Sequence, residues 1–212
     1  MRMTYLAVVL LIGILGYAVF LVTLAQNTED IGVSAPTETE RDLKTVLQKS
    51  IEGAYDVRIS EEELNAYLAR TLAAKQGGIF AGQATIEKVL VRIEQDQAEL
   101  VMVRKLWGHD FTVSMWLKVN QMENDGGVVN TTVDFDGGPM PVFSFVKRGG
   151  RFGKLLVPQG FVRFILPAYK TLAAQYPDEI HLAFEEMARI RMEDGVLILD
   201  PRNHQESDSF GF

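Results

Sequence analysis

Residues 111–120 read FTVSMWLKVN and carry the clearest structural pattern in the chain. Apolar residues occupy every second position from Phe111 to Val119, and the positions between them are polar apart from Trp116. Successive side chains of a β-strand point to opposite faces of a sheet, so this period of two indicates a strand with one face in a core. Trp116 lies on the more polar face, where it is a candidate anchor for packing or binding.

Similar patterns flank this strand on both sides. Residues 89–94 and 129–136 alternate in the same way, and a polar turn at 95–97 leads into a further apolar run at 99–106. Residues 124–127 (NDGG) predict a tight hairpin turn, because Asn, Asp and Gly accept the positive φ angles that such a turn needs. These segments predict a four-stranded antiparallel meander.

Two amphipathic helices are predicted ahead of this sheet. The first has an apolar stripe at helical spacing, formed by Leu43, Val46, Leu47, Ile51 and Ala54. After a short bridge at residues 56–59, Ser60 and Glu63 have the spacing of a capping box, in which each side chain bonds the backbone N–H of the other residue. The second helix continues through residues 64–72 and ends at the glycines 77–78.

The second half of the chain is less regular. Residues 137–139 (GGP) end the predicted sheet, and an irregular apolar and basic stretch extends to Pro158. Residues 161–172 have helical spacing, with a kink or break expected at Pro167. A short helix is predicted to start at Pro177, although alternation at 180–184 leaves a strand as the alternative. A C-terminal hairpin surrounds the turn at 193–195 (EDG), and the polar tail 202–212 is expected to be disordered.

The composition fits one globular domain. The chain has 212 residues, of which 47% are hydrophobic and 23% are charged. The patterns above predict an α+β domain over residues 41–201, in which the four-stranded meander and the C-terminal hairpin pack against amphipathic helices. Because the chain has no cysteine, disulfides, thiolate nucleophiles and Cys-containing zinc sites are excluded. No cofactor is predicted.

An uncharged apolar run at residues 5–24 (YLAVVLLIGILGYAVFLVTL) is long enough to span the roughly 30 Å hydrocarbon core of a bilayer. We interpret residues 5–25 as an uncleaved transmembrane anchor followed by a linker at 26–40. A cleaved signal peptide is the alternative, but its apolar core would be only about 7–15 residues long. Arg2 precedes the run and Glu29 and Asp30 follow it, so the positive-inside rule places residues 1–4 in the cytoplasm and the domain outside it.

A cationic segment interrupts an otherwise acidic chain. The net charge is −7, and without Arg2 the part after the anchor carries −8. Residues 137–176 hold six cations, five phenylalanines and no acid, so the rest of the exported part carries −14. Anionic lipid head groups attract such segments by about 1 kcal/mol per basic residue near the surface. The predicted membrane or lipid contacts are Lys147, Arg148, Arg151, Lys154, Phe152 and Arg163.

Three interpretations of this segment stay open: contact with a membrane, a solvated basic edge over a core helix, and contact with a protein partner. Our first hypothesis is a non-catalytic module that binds lipid or the membrane surface, with an apolar groove between sheet and helices. The alternative is a scaffold or accessory subunit that docks an envelope protein. The acidic charge of the exported part argues against nucleic acid as a partner.

The residues contain no motif that identifies an enzyme. The stretch GGRFGKL at 149–155 lacks the first glycine and the Ser or Thr of a phosphate-binding loop. His109 and Asp110 are the residue types of a catalytic pair, but they lie in an expected hairpin turn. His181 and His204 are isolated, so no metal site is predicted.

Two stretches, ISEEELNAYLAR at 59–70 and ARIRMEDGVLILDP at 188–201, lie in the order anchor, linker, helix pair, meander, helix and closing strand pair. This arrangement resembles the bacterial membrane-anchored envelope proteins of the YpmS type, chiefly through Ser60, Leu64, Asn65 and the closing strands. The resemblance implies an exported domain with a sheet wrapped on helices, somewhat like lipid-binding envelope domains. It supplies no catalytic residues.

Overall fold

The computed structural model describes residues 2–27, 41–75, 86–106, 109–124, 129–141 and 143–201. The helices are α1 (Arg2–Gln26), α2 (Leu43–Gly53), α3 (Glu61–Lys75), α4 (Val162–Ala173) and α5 (Pro177–Phe184), with a 3-10 turn at Gln159–Phe161. The strands are β1 (Val57–Ser60), β2 (Ile86–Glu94), β3 (Gln97–Leu106), β4 (His109–Glu123), β5 (Val129–Asp134), β6 (Arg148–Phe152), β7 (Leu155–Pro158), β8 (Arg189–Glu193) and β9 (Val196–Asp200). Most of the predicted linker, the 125–127 part of the NDGG turn, the glycines 77–78 and the tail lie outside the described residues.

The larger sheet is antiparallel and has six strands in the order β2-β3-β4-β6-β7, with β5 paired to the second half of β4. The α+β class is therefore confirmed, and each of the four predicted strands is present. The predicted four-stranded meander does not describe the whole sheet, however. Strands β6 and β7 extend it, and they come from the stretch that was expected to be irregular.

Glycine explains why β6 was missed. Gly150 pairs with Met115 of β4, and a Cβ atom added to Gly150 would lie 2.0 Å from the carbonyl oxygen of Ser114. Glycine weakens a strand pattern because it contributes no side chain to a face, and here the close approach of two backbones requires it. The feature that makes the segment look like a loop is thus the feature that allows it to join the sheet.

The second sheet has three strands in the order β1-β9-β8. Its β8–β9 hairpin matches the predicted C-terminal pair, with Glu193 opposite Val196. The residues that were expected to form a short bridge before the second helix are strand β1, whose Val57 pairs with Leu199. This pairing partner lies more than a hundred residues away in the chain, so local patterns did not reveal it.

The helices follow their predicted signals. The capping box of α3 is formed, with Glu63 N–H donating to Ser60 Oγ at 3.2 Å and Ser60 N–H donating to Glu63 Oε2 at 3.1 Å. Pro177 occupies the first turn of α5, so the strand alternative for residues 180–184 is wrong. Pro167 does not end α4, which packs a buried stripe of Val162, Ile165, Tyr169 and Leu172 against the core.

The edge of β2 is covered by polar side chains of α3. Asn65 Nδ2 donates to the carbonyl oxygen of Val91 at 2.8 Å, and Val91 N–H donates to Asn65 Oδ1 at 2.7 Å. Two residues further along, Ile93 N–H donates to Glu61 Oε2 at 2.8 Å. An exposed edge strand invites pairing with other chains, so these contacts satisfy the edge inside the molecule. Asn65, one of the residues that carry the family resemblance, therefore has a structural role here.

Candidate functional site

An apolar cavity of about 440 Å³ lies between the larger sheet and the helices. Its floor is the sheet face that carries Val91, Leu100 and Met115, which we call the inner face. The walls come from the neighbouring helices and from the smaller sheet. They include Leu47 of α2, Leu68 of α3, Leu166 of α4, Ile180 of α5 and Leu199 of β9. The predicted groove between sheet and helices thus corresponds to a cavity in the structure.

The strand register explains the apolar floor. Val91 lies opposite Leu100, and Leu100 lies opposite Met115, so one row of apolar side chains crosses three strands. A second row is formed in the same way by Ile93, Ala98 and Leu117. Because alternate residues of each strand share a face, the period of two seen in the sequence produces a continuous hydrocarbon surface.

The hydroxyl groups in the cavity wall are bonded within the protein. Tyr169 OH lies 2.6 Å from the carbonyl oxygen of Val113 and 3.0 Å from that of Leu100, and Tyr67 OH donates to Glu179 Oε1 at 2.6 Å. Burial raises the pKa of Tyr169, and burial together with the Glu179 carboxylate raises the pKa of Tyr67. These phenols stay protonated and paired, so the wall they share with aliphatic side chains suits an apolar occupant better than water.

The cavity lining includes exposed residues of β5, α4 and α5. At its rim Val133 is 39% exposed and Ile180 is 37% exposed. Among the described residues, Lys170 and Glu179 are the charged members of the lining. Lys170 is exposed in the last turn of α4 and ends the 147–170 basic segment that was expected to face head groups, although it is not one of the six contact residues named from the sequence.

The predicted contact residues are not gathered on one surface. Arg151 faces the opposite side of the sheet, which we call the outer face, and its Nε lies 2.5 Å from Glu99 Oε1. Phe152, the next residue, pairs with Val113 and packs against the main core on the inner face. Consecutive strand residues point in opposite directions, and here both sides are covered. Arg151 and Phe152 thus each have partners within the domain, and their contact with lipid or membrane stays a prediction.

Arg148 stacks on Trp116 at the outer face. Its Cζ atom lies 4.8 Å from the centre of the indole ring, a cation–π distance. Gly137 covers the same ring so closely that an added Cβ would lie 2.6 Å from it. Trp116 is 4% exposed, so of the two roles considered for it, packing is the one that the structure supports.

Lys147 and Arg163 lie at the exposed end of the β6–β7 hairpin. Lys147 Nζ forms an ion pair of 2.5 Å with Asp136, and the hydrogen bond from Lys147 lowers the pKa of Asp136. Arg163 Cζ lies 4.7 Å from the ring centre of Phe164. Exposed phenylalanines lie in two segments, one just before β6 and one at the start of α4. They form what we call the aromatic end, namely Phe143, Phe145, Phe161 and Phe164. The backbone bond from Gln159 N–H to Lys147 O joins the two segments.

Lys154 lies at the other end of the hairpin, against helix α1. Its backbone N–H donates to the carbonyl oxygen of Leu24 at 2.9 Å. Gly153, at φ +53°, comes so close that an added Cβ would lie 2.6 Å from the carbonyl oxygen of Ala25. The last carbonyl groups of a helix lack partners within the helix, and the hairpin supplies a hydrogen-bond donor to one of these carbonyl groups.

Helix α1 has the length and composition to cross a membrane over Val9–Gln26, and the side chains of that window are not buried in the protein. A membrane anchor and a signal sequence share these properties. In the described ranges, no group of three His, Cys, Asp or Glu residues is placed to hold a metal ion. His109 and Asp110 are exposed at the start of β4, opposite Leu106 and Lys105.

Comparison with protein-family models, with curated proteins and with solved structures found no match.

Proposed function

We propose that this chain is a membrane-anchored, non-catalytic protein that binds a lipid chain in the cavity between its sheet and its helices. The cavity is the observation that carries the proposal. Its volume of about 440 Å³ falls within the roughly 300–1,000 Å³ range of small-molecule sites, and its lining is almost wholly aliphatic and aromatic.

The energetics favour a hydrocarbon occupant. Each methylene group moved out of water contributes about 0.8 kcal/mol, and the cavity has room for roughly 15 of them at the roughly 30 Å³ that a water molecule takes up in the liquid. The gross gain is on the order of 10 kcal/mol, from which the cost of immobilising the ligand is subtracted. Because the polar groups of the wall are already paired, a hydrocarbon displaces no protein hydrogen bond.

Helix α1 and its contact with the domain support a position at the membrane. In the proposed topology, Arg2 stays on the cytoplasmic side and the domain follows α1 on the outside. The bond from Lys154 to Leu24 then holds the β6–β7 hairpin at the end of the membrane helix, within reach of lipids. The resemblance to envelope proteins of the YpmS type agrees with this location.

Docking of an envelope protein is the second candidate function. It is favoured by the aromatic end, where Phe145 is 85% exposed and Phe164 is 65% exposed. Exposed aromatic side chains next to cations are common at protein interfaces and also at the surface of membranes. The cavity and the aromatic end are distinct features, so the two functions are compatible.

The proposal is tested by photo-crosslinking of the full chain in nanodiscs of phosphatidylcholine. The probes are a fatty acid, a fatty alcohol and a phospholipid, each with a diazirine in the chain, and the labelled peptides are identified by mass spectrometry. We expect at least one probe to label cavity residues of β3 and β4, such as Leu100 and Leu117. Labels confined to residues 9–26 of α1 would show contact with the bilayer alone and would refute the proposal.

A matched pair of substitutions sharpens this test. Ala183 lines the cavity, whereas Ala174 is exposed just after α4 and does not line it. Filling the cavity by Ala183→Trp should reduce labelling of β3 and β4, and Ala174→Trp should leave it unchanged. Equal labelling of both variants would mean that the probes reach the strands by another route.

A further inference from the structure

We infer that the occupant of the cavity is an amphiphile with one hydrocarbon chain and an anionic head group, bound with its head group at Lys170. This inference rests on the proposed lipid-binding function and specifies the chemical class of the ligand.

The cavity volume favours a ligand with one hydrocarbon chain. If each methylene group takes up about as much space as a water molecule in the liquid, roughly 30 Å³, the cavity of about 440 Å³ accommodates roughly 15 carbons. The two chains of an ordinary phospholipid need about twice that space. A second chain would therefore stay outside the lining, and a fatty acid or another single-chain lipid fits the cavity better than a diacyl lipid does.

The charges of the lining identify the head group. Glu179 accepts the hydrogen bond of Tyr67, so its carboxylate is already engaged with the wall. Lys170 forms no ion pair with any acidic side chain in the part of the chain that the structure describes. It lies on α4 between the lining residues Leu166 and Ala173, four positions after one and three before the other.

This spacing places the lysine stem along the apolar rim. Residues three and four apart share a helix face, so the methylenes of Lys170 extend the hydrocarbon wall between Leu166 and Ala173. The ammonium group remains in water at the opening, as is usual for lysine at an apolar boundary. A carboxylate or phosphate at the end of a buried chain would meet it there.

The rest of the domain is acidic, so Lys170 is the group that would attract an anionic head group to the cavity. The exported part outside the cationic segment carries −14, so an anionic amphiphile is repelled from most of the surface. The other cations of the segment do not line the cavity. Arg151 is paired with Glu99, and Lys147 is paired with Asp136.

The experiment compares three probes of equal chain length in nanodiscs of the full chain: a diazirine fatty acid, its alcohol and its amine. We expect the fatty acid to label the cavity at the lowest concentration. Lys170→Gln should raise the half-saturating concentration of the acid roughly threefold to fivefold, the upper range for the loss of an exposed ion pair, and change that of the alcohol less than about twofold. Lys170→Arg should restore binding of the acid. The control Lys49→Gln, at an exposed position of α2, should have no effect.

The outcomes separate the two claims. If acid and alcohol label the cavity equally well in the wild type and in Lys170→Gln, the assignment of the head group is overturned while lipid binding stands. A preference for the amine overturns it as well. If none of the three probes labels the cavity, the proposed function itself fails.

A series of chain lengths tests the single-chain limit. In nanodiscs the free probe is dissolved mainly in the bilayer, so affinity is referred to its aqueous concentration. On that scale affinity should rise roughly fourfold per methylene, the equivalent of the transfer free energy of one CH₂ group out of water, and should stop rising near about 16 carbons. A diacyl probe that labels the cavity with both chains would overturn the volume argument.

Discussion

Arg151 donates to both carboxylate oxygens of Glu99, with Nε at 2.5 Å from Oε1 and Nη2 at 2.9 Å from Oε2. Glu99 is 1% exposed, and it also accepts the hydroxyl of Ser114 at 2.5 Å. The three residues lie on β6, β3 and β4, so the pair reaches across the strand between them. Arg151, one of the predicted lipid contacts, thus fastens β6 to β3 across β4.

The first prediction concerns this buried pair. Arg151→Met leaves the Glu99 carboxylate buried with Arg92 as the nearest remaining cation, at 3.5 Å, and should lower the free energy of unfolding by about 3 kcal/mol. Urea unfolding of the full chain in detergent measures the change. The double variant Glu99→Gln/Arg151→Met should recover part of the loss. Arg58→Met, at an exposed position of β1, is the control, and an equal loss there would contradict the assignment.

The second prediction concerns the amide clamp of Asn65 on Val91. Asn65→Ala leaves the N–H and C=O of Val91 without their partners and should cost about 1–3 kcal/mol. Hydrogen exchange of the Val91 amide should become faster. Asn120 serves as the control, because its side chain bonds the exposed Asp134, and Asn120→Ala should cost less than about 0.5 kcal/mol. Unchanged exchange at Val91 would rule out the clamp.

The third prediction concerns the seat of the β6–β7 hairpin on α1. Gly153→Val introduces a side chain at φ +53° and against the carbonyl oxygens of Leu24 and Ala25, so the hairpin should separate from the helix. The Lys154 amide should then lose its protection against hydrogen exchange. Gly160 has no neighbour within 4 Å of an added Cβ, so Gly160→Val should leave this protection intact. If Gly153→Val also leaves the Lys154 amide protected, the contact does not hold the hairpin against the helix.

The fourth prediction concerns pH. The hydrogen bond from Lys147 lowers the pKa of Asp136 from its ordinary value of 3.8, so this pair stabilises the fold above that pH, and the effect is lost as the pH falls through the value in the folded state. The pKa of Lys147 is raised, so its charge persists throughout this range. Asp136→Asn and Lys147→Gln should both flatten the acid side of a stability curve measured by urea unfolding from pH 2 to 7. A variant curve parallel to that of the wild type would exclude this linkage.

Local patterns predicted the elements that are decided by nearby residues. The alternation of Val113, Met115 and Leu117 predicted β4 and its apolar face, and the spacing of Ser60 and Glu63 predicted the start of α3. These signals depend on the geometry of one strand or one helical turn, which a few consecutive residues determine.

Elements that depend on a distant partner were missed. Strand β1 pairs with β9 near the C-terminus, and β6 needs Gly149 and Gly150 because the backbone of β4 and the turn at Gln159 approach them closely. A glycine-containing segment has no apolar face of its own, so it resembles a loop until its neighbours are known.

The residues of this chain were sufficient to predict an apolar membrane-length helix, an α+β domain, a sheet with one apolar face and a segment rich in cations. Tertiary packing decided which cations stay available to bind a ligand. It paired Arg151 with Glu99, stacked Arg148 on Trp116 and left Lys170 at the rim of the cavity. The physical reason is that a period of two or 3.6 determines which side chains share a face, whereas the partner of a charge depends on which strand the register brings opposite it.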